Sequence, residues 1–131
     1  MPMLTNPDTR NRIQFGIRRR ISAKTANYTI LEGESGTVFT NGGAGGEVVF
    51  TLPTPASGLF YYVIAVAAQN VVVKPPTADT MMCFNDIAAD QIAFNTANEI
   101  VGGGFMFTAL DGTNWSCQEL IHDAQTSVIA T

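Results

Sequence analysis

Charge is scarce in this 131-residue chain: Asp, Glu, Lys and Arg make up 14% of it, against about a quarter in an average soluble domain. A surface so poor in charge is expected to be covered in part by other protein. Apolar residues reach 46%, too many for a disordered chain, yet no apolar run approaches the ~20 residues that span a bilayer. Histidine occurs once, as His122, with no Cys, Asp or Glu cluster beside it in sequence, so neither a metal nor a general-base role is expected of it. The two cysteines, Cys83 and Cys117, are too few for a disulfide scaffold and are not at zinc-ligand spacing. Beside apolar neighbours such as Met82 and Phe84 they read as buried free thiols. The opening residues, MPMLTNPDTRNR, hold no apolar segment of signal-peptide type, so synthesis in a reducing cytoplasm is expected.

Catalytic constellations are equally thin. No Ser-His-Asp or paired-carboxylate spacing is visible, and no Asp-x-Asp-x-Asp calcium loop. The glycine clusters Gly42, Gly43, Gly45, Gly46 and Gly102 to Gly104 each lead into strand-like sequence, not into the helix that would cradle a phosphate. The expectation is a protein that is not an enzyme and holds no cofactor or metal.

What charge there is lies unevenly. Arg10, Arg12, Arg18, Arg19, Arg20 and Lys24 are six of the seven basic residues, and Asp8 is the one acid before residue 25. Residues 1–24 thus carry +5, and the remainder, with Lys74 against ten acids, carries -9. A basic arm on an acidic body is suited to bridging between like-charged neighbours. The arm has no long periodic stripe; Ile13, Phe15 and Ile17 alternate as one short strand would. It reads as an extended segment that orders on an acidic protein surface, with Arg10, Arg12, Ile13, Phe15, Ile17, Arg18, Arg19, Arg20 and Lys24 as its contact residues. Nucleic acid is disfavoured as the partner, because a phosphate backbone would repel the acidic body.

From Asn27 onward the pattern is β. Tyr28–Leu31, Thr37–Thr40, Glu47–Leu52, Leu59–Ala67, Val71–Val73, Met81–Phe84, Gln91–Phe94, Glu99–Val101, Phe105–Leu110 and Trp115–Leu120 read as short strands punctuated by Gly and Pro. One helical turn is expected at Asp86 to Asp90, and a hairpin turn at Asp111 to Asn114. Phe39, Val49, Phe50, Leu52, Tyr62, Ile64, Val72, Phe107 and Trp115 are the expected core. The fold class is all-β: one sandwich, jelly-roll-like or small-barrel domain over 27–120, an extended arm over 1–26 and a tail over 121–131. Trp115, Tyr61 and Tyr62 are candidate glycan platforms, but their strand positions favour core packing.

The stretch from Ser35 to Asn41, the glycines at 42–46, Val49 to Pro53, Gly58 to Val63, Val71 to Pro75 and Asp111-Gly112-Thr113-Asn114-Trp115 together resemble a β module common in virion proteins of tailed bacteriophages. The likeness spans about residues 28–118. It implies a capsid decoration (cement) protein on the outer shell of the virion, or else a tail, fibre or other appendage protein used in host attachment. The absence of an internal repeat or heptad favours decoration over a fibre shaft. The resemblance further implies a homotrimer at threefold junctions, with the major capsid protein and neighbouring decoration subunits as partners; the lack of a long apolar run speaks against a membrane partner.

Overall fold

The computed structural model describes residues 18–94, 100–120 and 127–130. Of the expected arm contacts, Arg10, Arg12, Ile13, Phe15 and Ile17 lie outside the described residues, as does His122. The rest is all-β. Twelve strands run in chain order as β1 (Ile21–Ala23), β2 (Tyr28–Thr29), β3 (Val38–Thr40), β4 (Val48–Thr51), β5 (Phe60–Ile64), β6 (Val71–Lys74), β7 (Met81–Cys83), β8 (Asp86–Ala89), β9 (Gln91–Phe94), β10 (Gly104–Ala109), β11 (Trp115–Leu120) and β12 (Ser127–Ala130). A single 3-10 turn, Glu32–Glu34, interrupts them among the described residues.

The strands form two mixed sheets, one of seven in the order β1-β3-β5-β10-β11-β7-β8 and one of five in the order β12-β9-β6-β4-β2. Up to β6 the chain alternates between the layers, so β1, β3 and β5 lie side by side and parallel, as do β2, β4 and β6. Parallel neighbours need a crossover, and here each crossover is a strand of the opposite layer. The later strands β10 and β11 join by the expected hairpin: Asp111 Oδ1 accepts the N–H groups of Thr113 and Asn114, both at 2.7 Å. These two bonds favour the charged carboxylate and hold Asp111 below its ordinary pKa.

The core between the layers is aromatic. Phe39 lies 5.7 Å from Phe50 and 6.3 Å from Tyr61, Tyr61 lies 5.8 Å from Trp115, and Phe94 stacks on Phe105 at 4.6 Å. The expected core members Phe39, Phe50, Leu52, Val72, Phe107 and Trp115 are buried. Val49, Tyr62 and Ile64 are not; they sit half-exposed on the outer faces, while Val48, Tyr61 and Val63 point inward. Both parities of these strands are apolar, so alternation alone does not choose the inner face.

Three further expectations need correction. Asp86 to Asp90 is not a helical turn but holds β8, whose ladder to β7 carries an irregularity between Met81 and Cys83; pairing overrides the weak helical preference of Ala88 and Ala89. Ile100 and Val101 form no strand, and the chain turns there through Gly102 at φ +92°. The sheets also reach beyond 27–120. β1 adds to β3 through Lys24 N–H to Thr40 O and Val38 N–H to Arg20 O, both 2.8 Å, and β12 pairs antiparallel with β9. Short strands such as Ile-Ser-Ala carry little signal of their own and form because an existing edge offers hydrogen-bond partners.

Candidate functional site

Asn41 and Trp115, two of the residues that carry the resemblance, and Gly104, which is not among them, tie the fold together. Asn41, fully buried after β3, donates from Nδ2 to Ala67 O and Gln69 O (each 3.2 Å) and accepts at Oδ1 from the N–H groups of Val66 (2.7 Å) and Ala67 (2.9 Å). One side chain therefore satisfies four backbone groups of the β5–β6 turn. Trp115 Nε1–H donates to Pro53 O at 3.1 Å, joining the Leu-Pro end of β4 to the start of β11. Gly104 allows β10 to begin against β5: a Cβ there would lie 2.7 Å from Val63 O. Asn41, Pro53, Gly104 and Trp115 thus serve as structural joints.

Among the expected contact residues, four are described, and the structure gathers them at the root of the arm. Arg18 is exposed. Arg19 lays its guanidinium 4.1 Å over the Tyr62 ring and donates from Nη2 to Tyr62 Oη at 3.3 Å. Arg20 Nη2 is 3.7 Å from Glu34 Oε2. Lys24 Nζ sits 3.8 Å over the Tyr28 ring. Three of the cations expected to meet a foreign acidic surface therefore contact the body of their own chain. Each exposed contact is worth about 1 kcal/mol or less, but together they hold residues 19–24 against the sandwich.

Glu34 is the hub of this arrangement. Although it is a carboxylate, only 9% of it is exposed. Tyr28 Oη–H donates to it, 2.8 and 2.9 Å from its two oxygens, and Leu31 N–H donates to Oε1 at 2.9 Å. The hydrogen bond to this carboxylate, followed by burial, raises the Tyr28 pKa. Tyr61 Oη–H donates to the carbonyls of Leu31 (3.0 Å) and Glu32 (3.3 Å), and burial, with Glu34 and Glu32 adding to it, pushes its pKa up to about 12. An open groove of about 380 Å³ lies alongside, lined by Arg18, Arg19, Arg20, Ser35 and Phe60 among others. Composition and charge single out the basic residues; Tyr62, Glu34 and Tyr28 as the seats of Arg19, Arg20 and Lys24 carry no signal in a single sequence, since the partners are 43, 14 and 4 residues away.

The remaining candidates separate cleanly. Trp115 and Tyr61 are fully buried, and Arg19 covers Tyr62, so no aromatic platform forms from the three. Cys83 and Cys117 are buried free thiols on adjacent parallel strands, directly in register. Their mutual hydrogen bond and burial push the Cys117 thiol up. Among the described residues no group of three or more His, Cys, Asp or Glu side chains comes together as a metal site would require, and no helix is long and apolar enough to cross a membrane. Compared with known proteins, the chain matches no family model and no curated protein.

Proposed function

We propose that the chain is a structural protein of a tailed-phage virion, a capsid decoration (cement) protein that binds the outer shell at capsomer junctions and stabilises it. The observation that carries this reading is the division of charge. A basic segment of net +5 precedes an acidic body of net -9, and its root is anchored on the body by Arg19 on Tyr62 and Arg20 on Glu34. On this reading the body assembles as a homotrimer through its low-charge faces, and residues 1–17 spread over neighbouring coat subunits that present carboxylates. Arm and body joined by one short segment reinforce each other through effective concentration. Asn41, Pro53 and Trp115, three of the positions on which the resemblance rests, are joints of the sandwich itself.

The anchored root changes which cations are available for the shell. Arg19 and Arg20 hold the root of the arm on the body, whereas Arg18 is exposed and Arg10 and Arg12 lie outside the described residues; on this reading these three meet the shell. Co-sedimentation with undecorated capsids across a salt series tests the reading. Deleting residues 1–17 is expected to abolish shell binding while leaving a folded body, and Arg10→Ala/Arg12→Ala/Arg18→Ala to weaken it and flatten its salt dependence. Binding of the truncated chain with undiminished affinity overturns the arm's role.

A further inference from the structure

The seven-stranded sheet ends in two open edges of opposite charge. Among the described residues neither β1 nor β8 has a strand on its outer side. β1 is the centre of Arg20-Ile21-Ser22-Ala23-Lys24, and β8 lies within Asp86-Ile87-Ala88-Ala89-Asp90. Each is a three-residue uncharged centre between two like charges, positive on one edge and negative on the other. Asp79, whose N–H donates to Asp90 Oδ1 at 2.8 Å, adds a third acid at the β8 edge. Large apolar side chains stand exposed on both: Ile21 at 65% on β1, Ile87 at 73% and Phe84 at 74% at β8.

The backbone of β1 is ready for a partner. Arg20 O and Lys24 N–H bond to β3, so by strand alternation Ile21 and Ala23 turn their N–H and C=O groups outward. Such an edge is normally protected or paired. Pairing β1 with β1 of another copy would set Arg20 and Lys24 against the same cations, and pairing β8 with β8 would set aspartates against aspartates. Only β1 against β8 brings opposite charges together.

We propose that copies of this chain associate head to tail, the β1 edge of one adding to the β8 edge of the next. Counting along the sheet, β3, β5, β11 and β7 run in the direction of β1, and β10 and β8 run against it. A copy continuing the sheet therefore sets its β8 antiparallel to β1. Antiparallel pairing brings the Lys24 end of β1 to the Asp86 end of β8 and the Arg20 end to the Asp90 end, on either side of the bulge in β8. This contact is heterologous: it leaves a free edge at each end of a dimer, and every edge is paired only where the rotation between copies closes a ring. It rests on the homotrimer of the proposed function and gives that trimer its interface.

Sedimentation velocity on the full chain tests it with one variant per edge. Ala23→Pro removes an outward N–H without touching a bond to β3, and Ile87→Lys places a cation at the edge that meets Arg20 and Lys24. Circular dichroism is expected to show both folded, because neither side chain is packed; if Ala23→Pro disturbs β1, Ile21→Glu replaces it. The wild type is expected at the mass of three chains and each variant alone at one. An equal mixture of the two is expected to give two-chain species and nothing larger, because one intact β8 edge meets one intact β1 edge. Larger assemblies in the mixture, or variants that remain trimeric, overturn the edge contact while leaving the homotrimer in place. A wild type that stays a single chain up to its solubility limit overturns the inference, and shell binding is then read independently by co-sedimentation.

Discussion

Replacing Asn41 with Ala removes the tie that holds the β5–β6 turn to the end of β3. The substitution deletes four hydrogen bonds of 2.7–3.2 Å from a side chain with 0% exposure. Net contributions of about 1 kcal/mol per bond are offset where water can reach the freed groups, as it can near exposed Val66, and are exceeded where it cannot. The expected loss is roughly 2–4 kcal/mol, a large fraction of the ~5–15 kcal/mol that holds a domain together. At roughly 4 °C per kcal/mol for a chain of this size, the melting temperature falls by about 8–16 °C. Urea titration followed by circular dichroism measures the free energy, and hydrogen exchange locates it: the amides of Val66 and Ala67 are expected to lose protection first. Asn70→Ala is the control. Its Nδ2 donates only to Glu47 at the surface, and its buried Oδ1 has no partner, so the cost is expected below about 1 kcal/mol. If Asn41→Ala costs no more than Asn70→Ala, the side chain is not the joint the geometry suggests.

Phe50→Ala, at a fully buried site in contact with Phe39, is expected to cost about 3–5 kcal/mol by the same titration. Glu34→Ala strips a nearly buried acceptor from Tyr28, Leu31 and Arg20 and is expected to cost about 1–3 kcal/mol; Arg20→Ala, whose side chain is 64% exposed, is expected to cost under about 1 kcal/mol. Alkaline stability should carry the signature of Tyr61. Its folded pKa is raised from 10.0 to about 12, so the fold favours the neutral phenol: that stabilisation is complete below pH 10.0 and is lost as pH rises to about 12. Phenolate absorbance during an alkaline titration reads it, and Tyr61→Phe is expected to remove that component.

Strand existence was legible from apolar runs and turn residues, and the hairpin at Asp111 to Asn114 from its turn chemistry. Facing was not always legible. In Phe60-Tyr61-Tyr62-Val63-Ile64 every residue is apolar or aromatic, so a one-residue shift changes nothing in the pattern yet exchanges Tyr61 for Tyr62 in the core. β1, β8 and β12 escaped because each is set by the neighbour it pairs with: Ile-Ser-Ala beside β3, a bulged Asp-Ile-Ala-Ala beside β7, and Ser127–Ala130 beside β9. The site was half legible. Clustered arginines stand out in any chain so poor in charge, whereas Tyr62 and Glu34 become their seats only once β5 and the 3-10 turn are folded beside β1. On the proposed reading, the part of the arm left for the shell then lies N-terminal to Arg19.

Cryo-microscopy of the intact particle tests the central proposal most directly. Density for the sandwich is expected on the outer shell, as trimers at threefold or quasi-threefold junctions, with the segment before Arg18 running onto adjacent coat subunits. Density for this chain on the tail or a fibre, and none on the shell, would contradict it and favour an appendage role in host attachment.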